Sequence, residues 1–192
     1  MHDSVEKLLQ KYCDEAQVRE ALHRRAHEWY KRALTWFQLP IIILSACSGS
    51  IQLLSKSVSP DYESTIVTCT AGTSILVSII TSVMTYLKLG EFSSKHEASH
   101  VAWQNFYNTV HHELSLAQDL RRPSEEFVEE VRTLYSRLFE NSPICQRKFM
   151  KAIKRRVHKH ATEDFSIPTY MNGFAHTKVY REEESEYEDN SV

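Results

Sequence analysis

The sequence predicts an all-α protein, a transmembrane helical hairpin whose helices extend into a cytosolic helical bundle. Three observations predict it. Two runs without a single charged side chain, Ala33 to Ser55 and Ser64 to Leu87, flank a short loop that holds Lys56, Asp61 and Glu63. At 1.5 Å per residue each run is about 33–36 Å long as a helix, enough to cross a hydrocarbon core of about 30 Å. Outside these runs, apolar residues recur at spacings of three and four, with no strand-like alternation. The mean hydropathy of the whole chain is nonetheless negative, so the remainder is strongly polar and faces water. A pair of buried core helices in a soluble bundle is the competing reading, and lengths above 20 residues without one charge oppose it.

At 192 residues the chain holds one or two domains. The organisation expected is an N-terminal cytosolic helix over 1–32, a two-helix hairpin over 33–89 with spans at about 33–55 and 64–87, cytosolic helices over 90–162, and a disordered acidic tail over 163–192. The first apolar run begins too deep in the chain for a cleaved signal peptide, so it is expected to stay as an anchor. Cys13, Cys47, Cys69 and Cys145 are scattered, with no Cys-x-x-Cys pair. Reduced thiols are expected, rather than a disulfide framework or a zinc pattern.

In the first segment Val5, Leu8, Leu9, Tyr12, Ala16, Leu22, Ala26 and Trp29 form a helical stripe, with Lys, Glu and Arg between them. No Pro or Gly precedes Pro40, so this helix is expected to run straight into the first span. Trp29, Tyr30 and Trp36 fall at the membrane boundary, where amphipathic rings prefer to lie. Pro40 removes one backbone hydrogen bond and is expected to kink the span near its inner end. Arg24, Arg25, Lys31 and Arg32 precede the first span, and Lys88 and Lys95 follow the second, whereas the loop has Lys56 alone. By the positive-inside rule both termini are cytoplasmic.

The second span is expected to continue as a cytosolic helix to about residue 120, with a flex at Gly90 and an apolar stripe of Trp103, Phe106, Tyr107, Val110, Leu114 and Ala117. Arg121-Arg-Pro-Ser124 breaks it, with Ser124 as N-cap of a helix carrying Phe127, Val128, Val131, Leu134, Tyr135, Leu138 and Phe139. Asn141-Ser-Pro143 breaks the chain again, with Ser142 as cap and Pro143 at the first position of a helix to about 162. Beyond Thr162, Pro168, Gly173 and the acids Glu182, Glu183, Glu184, Glu186, Glu188 and Asp189 predict the tail.

Four constellations are candidates for function. Thr70, Ser74, Ser78, Thr81 and Thr85 share one face of the second span, and Ser45, Gly49 and Gln52 lie on a less regular stripe of the first. This pore or packing face reads either as close helix packing or as a hydroxyl-lined water path between several hairpins. Neither span holds an acid, a base or a histidine, which opposes a proton relay, a voltage sensor or a charged filter, so a pore would be poorly selective.

His96-Glu97-Ala-Ser-His100 matches the zinc-protease pattern HExxH, without the continuation that supplies a third histidine, since Phe106 stands there. The match reads as a coincidence of composition, and no catalytic residue and no cofactor are expected. In an antiparallel hairpin, residues of equal depth have numbers of constant sum, about 120 here. His27 then lies level with about Ser93 and His23 with about Glu97. So His23, His27, His96 and His100 can share one layer just inside the membrane and bind a metal or sense pH; solvated or mutually hydrogen-bonded surface histidines are the simpler reading.

Arg147, Lys148, Lys151, Lys154, Arg155, Arg156 and Lys159, with Phe149, Met150, Ile153 and Val157 between them, form a basic amphipathic helix. It is expected to face anionic lipid headgroups or the acidic tail, each charge contributing about 1 kcal/mol at a lipid surface. The partners expected are membrane lipids, further copies of the chain and a cytosolic protein docking on the acidic tail. Nucleic acid is not expected, because the helix lacks aromatic interleaving.

The pre-span segment rich in Arg, His and Trp, the stretch Leu39-Pro-Ile-Ile-Ile-Leu-Ser45 with Gly49, the Thr/Ser-rich second span, and Phe92-Ser-Ser-Lys-His96-Glu-Ala-Ser-His-Val-Ala-Trp-Gln-Asn-Phe-Tyr107 together resemble the SLATT group of two-transmembrane proteins. The similarity covers about residues 20 to 140. It implies a membrane effector, pore-forming and coupled to nucleotide-sensing partners in bacterial conflict systems; relatives occur in large DNA viruses and protists. The chain carries no sensor or Gly-rich phosphate loop of its own. A non-enzymatic membrane protein that oligomerises through its hairpin is the function expected, against a membrane scaffold or, less favoured, a metalloprotease at His96, Glu97 and His100.

Overall fold

The computed structural model describes residues 3–54, 60–160, 165 and 168, and the protein is all-α across them. Helix α1 spans Asp3–Leu54, α2 Pro60–Tyr86, α3 Leu89–Ser115, α4 Ser124–Asn141 and α5 Arg147–His160, with a 3₁₀ turn at Gln118–Leu120. The acidic tail and most of the inter-span loop lie outside the described residues.

Helix α1 runs 52 residues without interruption and carries Pro40 inside it. Its first half and α3 form the axis of a helical bundle with two apolar cores. The core distant from the spans joins Leu9, Cys13 and Ala16 of α1 to Trp103, Phe106 and Val110 of α3 and to Phe127 and Val131 of α4. The core next to the spans joins Val18, Leu22, Ala26 and Tyr30 of α1 to Leu89 and to Phe149 and Ile153 of α5. Burying an aliphatic or Phe side chain is worth about 1.5–3 kcal/mol, so α4 and α5 are each held by their own set of anchors.

Several boundaries differ from the sequence expectation for local reasons. The flex is not at Gly90, which is inside α3. It is at Leu87–Lys88, where Lys88 takes the left-handed conformation (φ 49°, ψ 35°). The Lys88 N–H bonds the Thr85 carbonyl at 3.0 Å and the Phe92 N–H bonds the Lys88 carbonyl at 3.0 Å, so the helix is reset within one turn.

Helix α3 ends at Ser115, short of residue 120. The Arg121 guanidinium donates to the Leu116 carbonyl (2.8 Å) and the Leu114 carbonyl (3.0 Å) and pairs with Glu6 (2.6 Å), capping α3 and tying it to the start of α1. Ser124 begins α4 without a side-chain cap bond.

Ser142 does not cap α5 either. Its hydroxyl donates to the Leu138 carbonyl (2.6 Å) and accepts from the Trp103 indole N–H (2.9 Å), so it closes α4 onto α3. Residues 143–146 are a non-helical linker, and α5 starts four residues later than expected, at Arg147.

Candidate functional site

The four histidines meet where α1 packs on α3. His23 of α1 and His96 of α3 approach Nδ1 to Nδ1 at 2.9 Å, both buried. One turn nearer the spans, His27 Nδ1 lies 3.0 Å from the Ser93 carbonyl and 3.3 Å from the Ser93 hydroxyl. A carbonyl only accepts, so the proton of His27 sits on Nδ1. The His27 and His100 rings are 6.1 Å apart, and His100 Nδ1 is 3.9 Å from Glu20. The hairpin arithmetic thus places His27 at Ser93 and His23 within one residue of its partner His96.

Burial, then the charge of its neighbours led by His96, pushes the His23 imidazole down to about 3. Burial, then His27, pushes His96 down to about 4. Both rings are therefore neutral at pH 7, and one proton lies between the two Nδ1 atoms. Tyr30 stacks on His96 (5.5 Å between centroids, 12° between planes), and its hydroxyl accepts from the Gln146 amide at 2.9 Å. Cys145 enters from the α4–α5 linker, with Sγ 3.6 Å from His23 Nδ1. Burial pushes its thiol up to about 11, against a smaller opposing effect of Arg19.

Among the described residues, one His/Cys/carboxylate group brings three metal-ligating atoms within 4.8 Å of one another: His23, His96 and Cys145. The two histidines of the HExxH stretch are not in that group together. His96 turns to His23, His100 turns to Glu20, and Glu97 is exposed. Cys145 was not among the residues that the sequence brought together with the histidines. Its ligand spacing is spatial, and the linker that delivers it has no periodicity.

The hairpin face differs more. α2 turns Ile66, Thr70, Thr73, Val77, Ile80 and Met84 inward, and α1 turns Phe37, Ile41, Leu44 and Ser48 to meet them. The Thr73 hydroxyl donates to Ser48 Oγ at 3.4 Å across the pair. Of the candidate stripe only Thr70 is on this seam; Ser74, Ser78, Thr81 and Thr85 are exposed, as are Ser45, Gly49 and Gln52 of α1. Packing within one hairpin is therefore not what the stripe does. The Ser74 and Thr85 hydroxyls donate to the carbonyls of Thr70 and Thr81 on their own helix, at 2.9 Å each.

The basic helix packs its apolar side inward. Phe149 and Ile153 are buried against α1, and α5 stands antiparallel along it, Phe149 beside Trp29 and Tyr30, Ile153 in the same core as Val18 and Leu22. Its apolar face is covered and cannot lie in a lipid surface while α5 is docked. Arg147, Lys148, Lys151, Arg155, Arg156 and Lys159 remain exposed, Lys154 is half-buried, and the Lys148 ammonium sits 3.1 Å over the Trp29 ring.

No family model matches the chain, and neither a curated protein nor a solved structure is found that matches it.

Proposed function

We propose that the chain is a two-pass integral membrane protein of the SLATT type, with both ends in the cytosol, that acts without catalytic chemistry. Its hairpin associates with further copies and lines a weakly selective path through the bilayer. The observation that carries the reading is the exposure of the apolar runs. Two helical stretches are long and apolar enough to cross a membrane, and none of their most apolar window is buried. Trp36 is 80% exposed and Ile75 62%, values that a water-facing surface does not sustain over two helices.

The outward hydroxyl stripe supports self-association. Small hydroxyl residues let backbones of neighbouring helices approach closely, and each hydroxyl that donates to its own helix still has lone pairs for a partner or for water. The balance of Arg24, Arg25, Lys31 and Arg32 against Lys56 supports the orientation.

Membrane retention after an alkaline wash, followed by light scattering of the detergent-solubilised protein, tests both halves. Retention and a mass of several chains are expected. Release into the wash shows instead a soluble assembly that covers the apolar faces, and a monomer in mild detergent removes the pore.

A further inference from the structure

We propose that His23, His96 and Cys145 form a binding site for a single zinc ion that clamps α1, α3 and the α4–α5 linker together. The three side chains come from three separate elements and converge at one point, the two histidines buried and Cys145 half-buried. Tetrahedral zinc with Zn–N of about 2.0–2.1 Å and Zn–S of about 2.3 Å places a sulfur and a nitrogen about 3.6 Å apart and two nitrogens about 3.3 Å apart. Cys145 Sγ and His23 Nδ1 are 3.6 Å apart. The two Nδ1 atoms are 2.9 Å apart, so the rings part by about 0.4 Å to admit the ion.

The metal-free arrangement returns little for what it buries. Two imidazoles facing Nδ1 to Nδ1 share one proton and make one hydrogen bond, and the thiol is a weak donor and a weak acceptor. Burial without full partners costs free energy at each group. A zinc ion takes a lone pair from both imidazoles, which are already neutral at pH 7, and from the sulfur as thiolate. Coordination breaks the S–H bond, and that proton leaves to solvent; the proton between the two Nδ1 atoms moves to the far nitrogen of its ring, so both imidazoles stay neutral. Three protein ligands leave the fourth position for water. The further histidines, His27 and His100, face Ser93 and Glu20 and do not reach this group.

The test uses the full chain in detergent, stripped with a chelator and then equilibrated with Zn²⁺ or Co²⁺. One zinc per chain is expected at micromolar free metal. Calorimetry in two buffers of different ionisation enthalpy is expected to show net proton release of one or more per zinc at pH 7. Co²⁺ is expected to give a thiolate charge-transfer band. Cys145→Ser, nearly isosteric, is expected to keep the helical content, lower zinc affinity tenfold or more and abolish the band; His23→Asn is expected to lower affinity similarly. His27→Asn is expected to change neither. Zinc held equally by Cys145→Ser and wild type, or no zinc retained at micromolar concentration, would each overturn the site.

Discussion

His23 and His96 face each other Nδ1 to Nδ1 at 2.9 Å, both buried where α1 packs on α3. Two imidazoles in that position tie the folded state to pH. Their folded values, about 3 and about 4, lie below the ordinary 6.5 that they regain on unfolding. Above pH 6.5 both states are neutral and the pair costs nothing in protonation. As pH falls below 6.5 the unfolded chain takes up protons that the folded one refuses, so stability falls.

The loss approaches about 1.4 kcal/mol per pH unit for each ring between pH 6 and pH 4. For the metal-free protein we expect the thermal midpoint to drop steeply from pH 7.5 to pH 5, and His96→Gln to lessen the pH slope by about half relative to wild type. An unchanged slope would place the two rings in contact with water.

The left-handed Lys88 makes a second prediction. A side chain in that region costs about 1–2 kcal/mol, and glycine carries no such cost. Lys88→Gly is expected to leave stability unchanged or raise it by up to ~1 kcal/mol, because the gain is partly offset by the entropy of glycine in the unfolded chain. Lys88→Val, β-branched, is expected to lower stability by about 1–3 kcal/mol. Thermal unfolding of the two variants side by side checks the sign. The ion pair of Lys88 with Glu91 (3.8 Å) is exposed and contributes little to either outcome.

The docking of α5 rests on Phe149, 4% exposed between Trp29, Tyr30 and the α1 core. Phe149→Ala is expected to cost about 3–5 kcal/mol. The loss falls on α5 alone, since α4 has its own core. The expected signs are faster proteolysis within 143–160 and faster alkylation of Cys145, with the rest of the bundle still protected. Global unfolding instead would show that the two cores form one cooperative unit. The freed helix is also expected to bind vesicles containing anionic lipid more tightly than the docked one, because its apolar face is then available beside its charges.

What was legible in the sequence follows from where the chain is regular. Helix α1 is continuous from Asp3 to Leu54, so counting along it locates His23 and His27, and counting back along α3 locates their partners to within one residue. The flex at Lys88 was not legible, because nothing about a lysine announces a left-handed residue. Gly90 drew the prediction instead.

Pro143 misled in the same way. Its fixed φ suits a first helical turn, yet Ser142 is drawn to the Trp103 indole, a partner 39 residues away. The hairpin seam was the hardest part. Ile66, Thr73, Val77, Ile80 and Met84 repeat with the same three-four spacing as Ser74, Ser78, Thr81 and Thr85, so periodicity alone does not say which face turns inward. The signal lay in α1. Its buried face, His23, Ala26 and Tyr30, extends without a break into Phe37, Ile41, Leu44 and Ser48, and this fixes the seam from the water-facing side.

The outward stripe leads to the last prediction. Ser78 faces away from α1, so a larger side chain there leaves the single hairpin intact and acts only on what lies outside it. If another copy packs on this face, Ser78→Leu separates the backbones and is expected to weaken association tenfold or more, about 1.4 kcal/mol, in analytical ultracentrifugation in detergent. One hairpin has too little circumference to enclose water, so conduction requires the same assembly. Hydroxyls about one helical turn apart, roughly 5–6 Å, offer water a ladder without fixed charge, and ions keep most of their hydration along it. Small, weakly selective currents are therefore expected in planar bilayers. Cys47 and Cys69 are both exposed in the spans and must first be replaced by serine, so that Ser78→Cys is the single reactive position there. A water-soluble thiol reagent is then expected to block the current in that variant and not in its serine parent. Silent bilayers at densities where oligomers are present would leave association standing and remove the pore; a monomeric Ser78→Leu variant that still conducts would show that conduction does not need the assembly.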